Sequence, residues 1–63
     1  MTKVHDIIEF DEVPNEVNQR NGTVLSLGNE GEFYVEIPFY PWILCFEDGS
    51  LWDMEGKFKR KNA

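Results

Sequence analysis

The sequence predicts a mainly β fold, a small antiparallel sheet curled into a partly open barrel or roll of about five strands, and three observations predict it. Apolar side chains recur at every second position in Phe33, Val35 and Ile37, the period that lines one face of a strand. Glycines at 28, 31, 49 and 56 cut the second half of the chain into short runs, at the spacing expected of strands joined by turns. With 63 residues there is chain for one domain only, and a chain this short hides roughly 60% of the surface that it exposes when unfolded. A single thin core is the consequence.

The elements follow in order. The run Val4 to Phe10 is rich in Val, Ile and Phe and reads as a first strand with Val4, Ile8 and Phe10 on one face, a helical reading through Val4, Ile7 and Ile8 remaining open at this length. From Asp11 to Asn21 the chain turns polar. Pro14 can open one short helical turn over 14–20, with Glu16 near its start, Arg20 near its end and Asn21-Gly22 suited to stop it. Thr23 to Leu27 alternates again, placing Thr23, Leu25 and Leu27 on one side, and the link Gly28-Asn29-Glu30-Gly31 joins it to the Phe33 strand as a β-hairpin.

Pro38 and Pro41 donate nothing to a ladder, so Pro38-Phe39-Tyr40-Pro41 is expected to leave the sheet or lie on its edge as a corner. Trp42 to Glu47, the most apolar stretch, runs into Asp48-Gly49, the pair that suits a type I′ turn. Ser50 to Met54 returns as its partner, and Glu55-Gly56 turns the chain into Lys57-Phe58-Lys59. The domain is expected to cover 1–58, with 59–63 as a flexible basic C-terminal tail.

Composition excludes several classes of function. Cys45 is the single cysteine, so no internal disulfide forms and the chain reads as a cytoplasmic protein of a reducing compartment. His5 and Cys45 are the only imidazole and thiol, far apart in sequence, which leaves no zinc ligand set and no metal or cofactor to expect. The opening residues lack a signal-peptide core, and no run approaches the roughly 20 apolar residues that span a bilayer, so no membrane association is expected. Neither a nucleophile motif nor a phosphate loop occurs. The carboxylate pairs Glu47-Asp48 and Asp53-Glu55 border glycine turns, where such residues serve local hydrogen bonds. The chain is expected not to be an enzyme.

Charge and aromatic content carry the functional expectation. The net charge is −6, and residues 1–55 hold all 12 acids but only Lys3 and Arg20 of the 6 bases. Such a body repels phosphate backbones, so direct nucleic-acid binding by it is not expected. Five Phe, two Trp and two Tyr are more rings than one thin core can hold. If Phe33, Val35 and Ile37 point inward, Tyr34 points outward beside Glu36, and the proline-flanked corner sends Tyr40 or Trp42 to solvent.

The expected partner-binding surface is therefore Tyr34, Tyr40 and Trp42 with Glu36, Glu47 and Asp48 as an acidic rim, since exposed Tyr and Trp form protein–protein hot spots. These residues suggest a non-enzymatic protein-interaction module, of the kind a phage or other mobile element uses as a small inhibitor of a host protein. Homodimerisation is expected too, because so small a core gains from self-association. The alternative expectation is a polyanion mimic that fills the basic groove of a nucleic-acid-binding protein.

Overall fold

A computed structural model describes residues 1–53 and 55–61. The chain forms β1 (Ile7–Glu12), β2 (Asn21–Leu27), β3 (Glu32–Ile37), β4 (Tyr40–Phe46), β5 (Leu51–Trp52) and β6 (Lys59–Arg60). They make one antiparallel sheet in the order β5-β4-β3-β2-β1-β6, curled into a nearly closed barrel. The segment between β1 and β2 is not helical. It carries a tight turn in which Val17 N–H donates to the Pro14 carbonyl at 3.0 Å.

Curling depends on where the ladder slips. Register shifts occur between Phe10 and Glu12 on β1, between Val24 and Ser26 on β2, and between Val35 and Ile37 on β3. An extra residue on one strand bends it and increases its twist, which lets a sheet of short strands close. The concave face collects Ile8 and Phe10 from β1, Val24 from β2, the triplet Phe33, Val35 and Ile37 from β3, Ile43 and Cys45 from β4, and Phe58 ahead of β6, all buried. Phe58 joins the two ends of the chain's path, edge-on to Phe10 at 5.4 Å and tilted on Tyr40 at 5.0 Å between centroids.

The inward triplet on β3 and the hairpin after Leu27 are as the alternation predicts. Other expectations change. The first strand begins at Ile7, and Val4 is exposed in a turn where His5 adopts φ 78° and donates its N–H to the Val24 carbonyl at 2.8 Å. Asn21-Gly22 does not stop a helix but opens β2, and the buried side of β2 is Gly22 and Val24 while Leu27 is exposed. Asp48 stays at negative φ, so the β4–β5 turn is not type I′. Gly49 N–H instead donates to the Phe46 carbonyl at 3.1 Å with Gly49 at φ 94°, the pattern of a three-residue hairpin loop with a glycine bulge.

The boundary expected at residue 58 falls inside the sheet. Lys59–Arg60 forms β6 against β1, and Lys61 N–H donates to the Glu9 carbonyl at 3.1 Å; Asn62 and Ala63 lie outside the described residues. The β5 and β6 strands have 2 residues each and face one another across the barrel's seam without forming a ladder. The Arg60 side chain spans that seam, its Nη1 donating to the Phe46 carbonyl at 3.1 Å and the Ser50 carbonyl at 3.3 Å. Its guanidinium lies 5.6 Å from the Phe33 ring centroid, a cation–π arrangement that offsets part of the cost of burying Nε without an acceptor.

Gly22 is the tightest point of the barrel wall. A Cβ there would sit 2.6 Å from Val35 Cγ1, 2.8 Å from the Glu36 carbonyl oxygen and 2.9 Å from Ile37 Cγ1. Gly→Ala gains about 0.4–1 kcal/mol through the unfolded chain where space allows, but overpacking costs about 1–3 kcal/mol, and one obstacle here is backbone. Gly22→Ala is expected to lower the unfolding free energy by about 1–2 kcal/mol, read from the midpoint of urea denaturation at unchanged slope.

Candidate functional site

Closure of the barrel leaves the convex side of β3, β4 and β5 in water, and the period of two decides which side chains it carries. Val35 pairs with Ile43 and Phe33 with Cys45 on the inside. Between them Tyr34 pairs with Leu44, which in turn pairs with Trp52, so these three side chains form a row across the outer surface. Trp42 stands two residues before Leu44 on the same side. It is the diagonal neighbour of Tyr34, and the two rings lie 6.3 Å apart at 54°, within reach of an aromatic pair. Trp42 is 61% and Trp52 60% exposed, values that rule out a core role for either indole.

The β3–β4 connection exposes a further apolar side chain. Pro38 and Phe39 form a two-residue turn between the paired Ile37 and Tyr40, and Phe39 adopts φ 66°. Proline then a left-handed residue suits a type II turn, whose third position favours glycine or asparagine. Phe39 occupies it with a ring that is wholly exposed, at a backbone cost of order 1–3 kcal/mol with no packing in return. Such an outlier is a reason to look for use of the ring outside the fold.

The structure brings together some of the residues expected at the site. Tyr34, Trp42 and Glu36 share the convex face. Tyr40 is half-buried, packed on Phe58 and on the core, yet it still lines the cleft beside Trp42. Burial raises the Tyr40 phenol above its ordinary pKa, and the charges of Asp53, Glu55 and Glu16 raise it further. Glu47 and Asp48 lie beyond the other end of β4, about 16 Å from Trp42 along the strand. Glu47 accepts from Thr2 N–H at 3.1 Å and from the Thr2 hydroxyl, bonds that lower its pKa. Asp48 accepts from Ser50 N–H at 2.9 Å and Ser50 Oγ at 2.6 Å, and is lowered likewise. Both serve local structure at that end of the molecule.

Two further acids, Asp53 and Glu55, share a cleft with the exposed indoles. With Tyr40, Trp42, Trp52 and Phe58 they line a cleft of about 230 Å³ at the start of β4. Trp52 was not among the expected site residues, although alternation offers the signal: Leu51 packs toward the core and the next residue points outward. Phe39 was missed too, since its exposure depends on the two-residue turn. Asp53 builds the cleft's floor: it accepts Glu55 N–H at 3.2 Å, Lys57 N–H at 2.7 Å and Phe58 N–H at 2.9 Å. Burial pushes its carboxyl up, but these three bonds outweigh that and hold it below its ordinary value.

Elsewhere the chemistry is quiet. Burial raises the Cys45 thiol to about 11 against the opposing pull of Arg60, which leaves little thiolate near neutrality. Among the described residues no group of three His, Cys, Asp or Glu side chains could hold a metal, and no helix is long and apolar enough to cross a membrane. Compared with known proteins, the chain matches no family model, no curated protein and no solved structure.

Because the folded Asp53 binds its proton more weakly than the unfolded chain does, the stability it supplies is complete above the ordinary carboxyl pKa of about 4. It is lost as pH falls through the lower folded value. Asp53→Ala, which removes three hydrogen bonds of which one is to a half-buried N–H, is expected to cost about 0.5–1.5 kcal/mol at neutral pH. The cost should shrink as pH drops below about 4, as read from denaturation midpoints of both proteins across that range.

Proposed function

We propose that this chain is a non-catalytic protein-interaction module that works by occupying a surface of another protein with the convex face of β3, β4 and β5. The observation that carries this reading is the continuity of that face: Tyr34, Leu44 and Trp52 in one cross-strand row, with Trp42 beside them. Two indoles about 60% exposed keep apolar surface in water at a free-energy cost that the fold alone does not require. Tyr and Trp are also the side chains that dominate binding energy at protein interfaces, because they contribute large rigid contact area at small entropy cost.

The acidic balance supports a partner surface of positive character. With a net charge of −6, the chain would be steered toward a basic face and would disfavour acidic ones. A polyanion mimic shares that property, but it has no need of rings. The two readings part on salt: between about 0.1 M and about 1 M the Debye length falls from about 10 Å to about 3 Å, which weakens a charge-only contact steeply and an aromatic one little.

The test is affinity capture with the wild-type chain and with the Trp42→Ala/Trp52→Ala double variant at both salt concentrations. Since both indoles are exposed, the variant should keep cooperative unfolding. Its partner affinity is expected to fall by at least about 30-fold, two hot-spot truncations of more than 1 kcal/mol each. Equal capture by both proteins would overturn the proposal, and capture lost only at high salt would assign the polyanion mimic. Sedimentation at twice the 7.4 kDa protomer mass, abolished in the double variant, would give the face to a second copy of the chain.

A further inference from the structure

We infer that the cleft beside Trp42 and Trp52 is a receptor for one cationic side chain of the protein partner, an arginine in preference to a lysine. This receptor rests on the interaction proposed for the convex face and deepens it. At about 230 Å³ the cleft is smaller than the roughly 300–1,000 Å³ of pockets that hold drug-sized ligands, and its size suits a single long side chain. Its lining combines three aromatic residues, Tyr40, Trp42 and Trp52, with two acidic ones, Asp53 and Glu55.

That pairing of ring and acid selects by charge. An anion would meet two carboxylates, and a neutral apolar group would strip water from them without replacing its hydrogen bonds. A cation satisfies both surfaces, attracted to the π faces and to the acids. A guanidinium is favoured over an ammonium because its plane stacks on an indole while its edge still donates to a carboxylate, whereas the ammonium holds its water more tightly.

The acids have capacity left for such a guest. Asp53 accepts three backbone N–H groups, leaving one of about four lone-pair sites. Glu55 Oε1 holds Lys57 Nζ at 3.0 Å in a pair whose side chains are at least half exposed, a contact of small worth that a better-placed cation can replace. Burial first, and then the charges of Asp53, Glu55 and Glu16, raise the Tyr40 phenol at this spot.

The experiment titrates the full chain with three capped tripeptides, Gly-Arg-Gly, Gly-Lys-Gly and Gly-citrulline-Gly, and follows the indole N–H and Tyr40 ring signals by NMR. The arginine peptide is expected to shift the Trp42 and Trp52 indoles saturably, the lysine peptide to bind several-fold more weakly, and the uncharged citrulline peptide to produce no saturable shift. Bound arginine should also lower the Tyr40 titration midpoint, since a cation opposes the carboxylates that raise it. Glu55→Gln, an exposed and conservative change, should weaken the arginine peptide several-fold, and Trp52→Ala should abolish its binding.

Citrulline binding as well as arginine, or no saturable indole shift with any peptide, would overturn the cation receptor. The interaction proposal would then still stand if the double tryptophan variant loses its partner. Conversely, arginine binding at the cleft with undiminished capture by that variant would support the cation site and reject the convex face as the partner surface.

Discussion

A single sheet has two faces, and the described residues supply no helix or second sheet to cover either. The fold answers by turning one face on itself. Every buried apolar side chain described points to the barrel's inside, and what closes the barrel matters more than any one pairing within it. Closure asks for two unusual contacts: Gly22, whose missing Cβ admits Val35, Ile37 and the backbone at Glu36, and Arg60, whose side chain replaces the ladder that β5 and β6 are too short to make. Arg60 is a costly choice for a seam, since its Nε is buried without an acceptor. Its fork reaches two carbonyls while its plane covers Phe33, which no aliphatic side chain would do.

The same constraint explains the molecule's outside. Once the concave face is full, the rings left over have nowhere to go but the convex one, and the sequence places them there together. Trp42, Leu44, Tyr34 and Trp52 are neighbours by strand register, so their clustering follows from the pairing that builds the core. An apolar surface of this kind invites nonspecific association, and the excess of 12 acids over 6 bases opposes it by mutual repulsion. On the proposed interaction, the same acids would also restrict the choice of partner.

Strand count, hairpins and the inward triplet of β3 were legible because they depend on neighbours in sequence. What was hidden depends on distance or on a slip of phase. The bulge between Val24 and Ser26 breaks the alternation that Thr23, Leu25 and Leu27 suggest, and the fully buried residue turns out to be Val24. Gly22 looks like a helix stop until β3 is laid against it. Lys59–Arg60 carries no apolar period at all, and only its pairing with Phe10 and Glu12 makes it a strand. At the site, Tyr34, Glu36 and Trp42 followed from alternation, whereas Glu47 and Asp48 lie past the far end of β4 from Trp42, where Thr2 and Ser50 offer them local hydrogen bonds.

The basic end of the chain bears on which surface remains for a partner. Arg60 is drawn into the seam and Lys61 lies 3.7 Å from Glu9, both held against β1 or across to β4 rather than extended as a polycation. The strongest cationic run in the sequence is therefore spent partly on the fold. On the other side of the barrel Lys57, paired with Glu55, is the cation nearest the cleft among the described residues. The result is a division of the surface: mixed charge along β1 and β6, and exposed rings with acids over β3 to β5. A ligand that neutralises carboxylates and covers indoles finds both needs met only on the second side, and this asymmetry, more than the net charge, directs the choice of face.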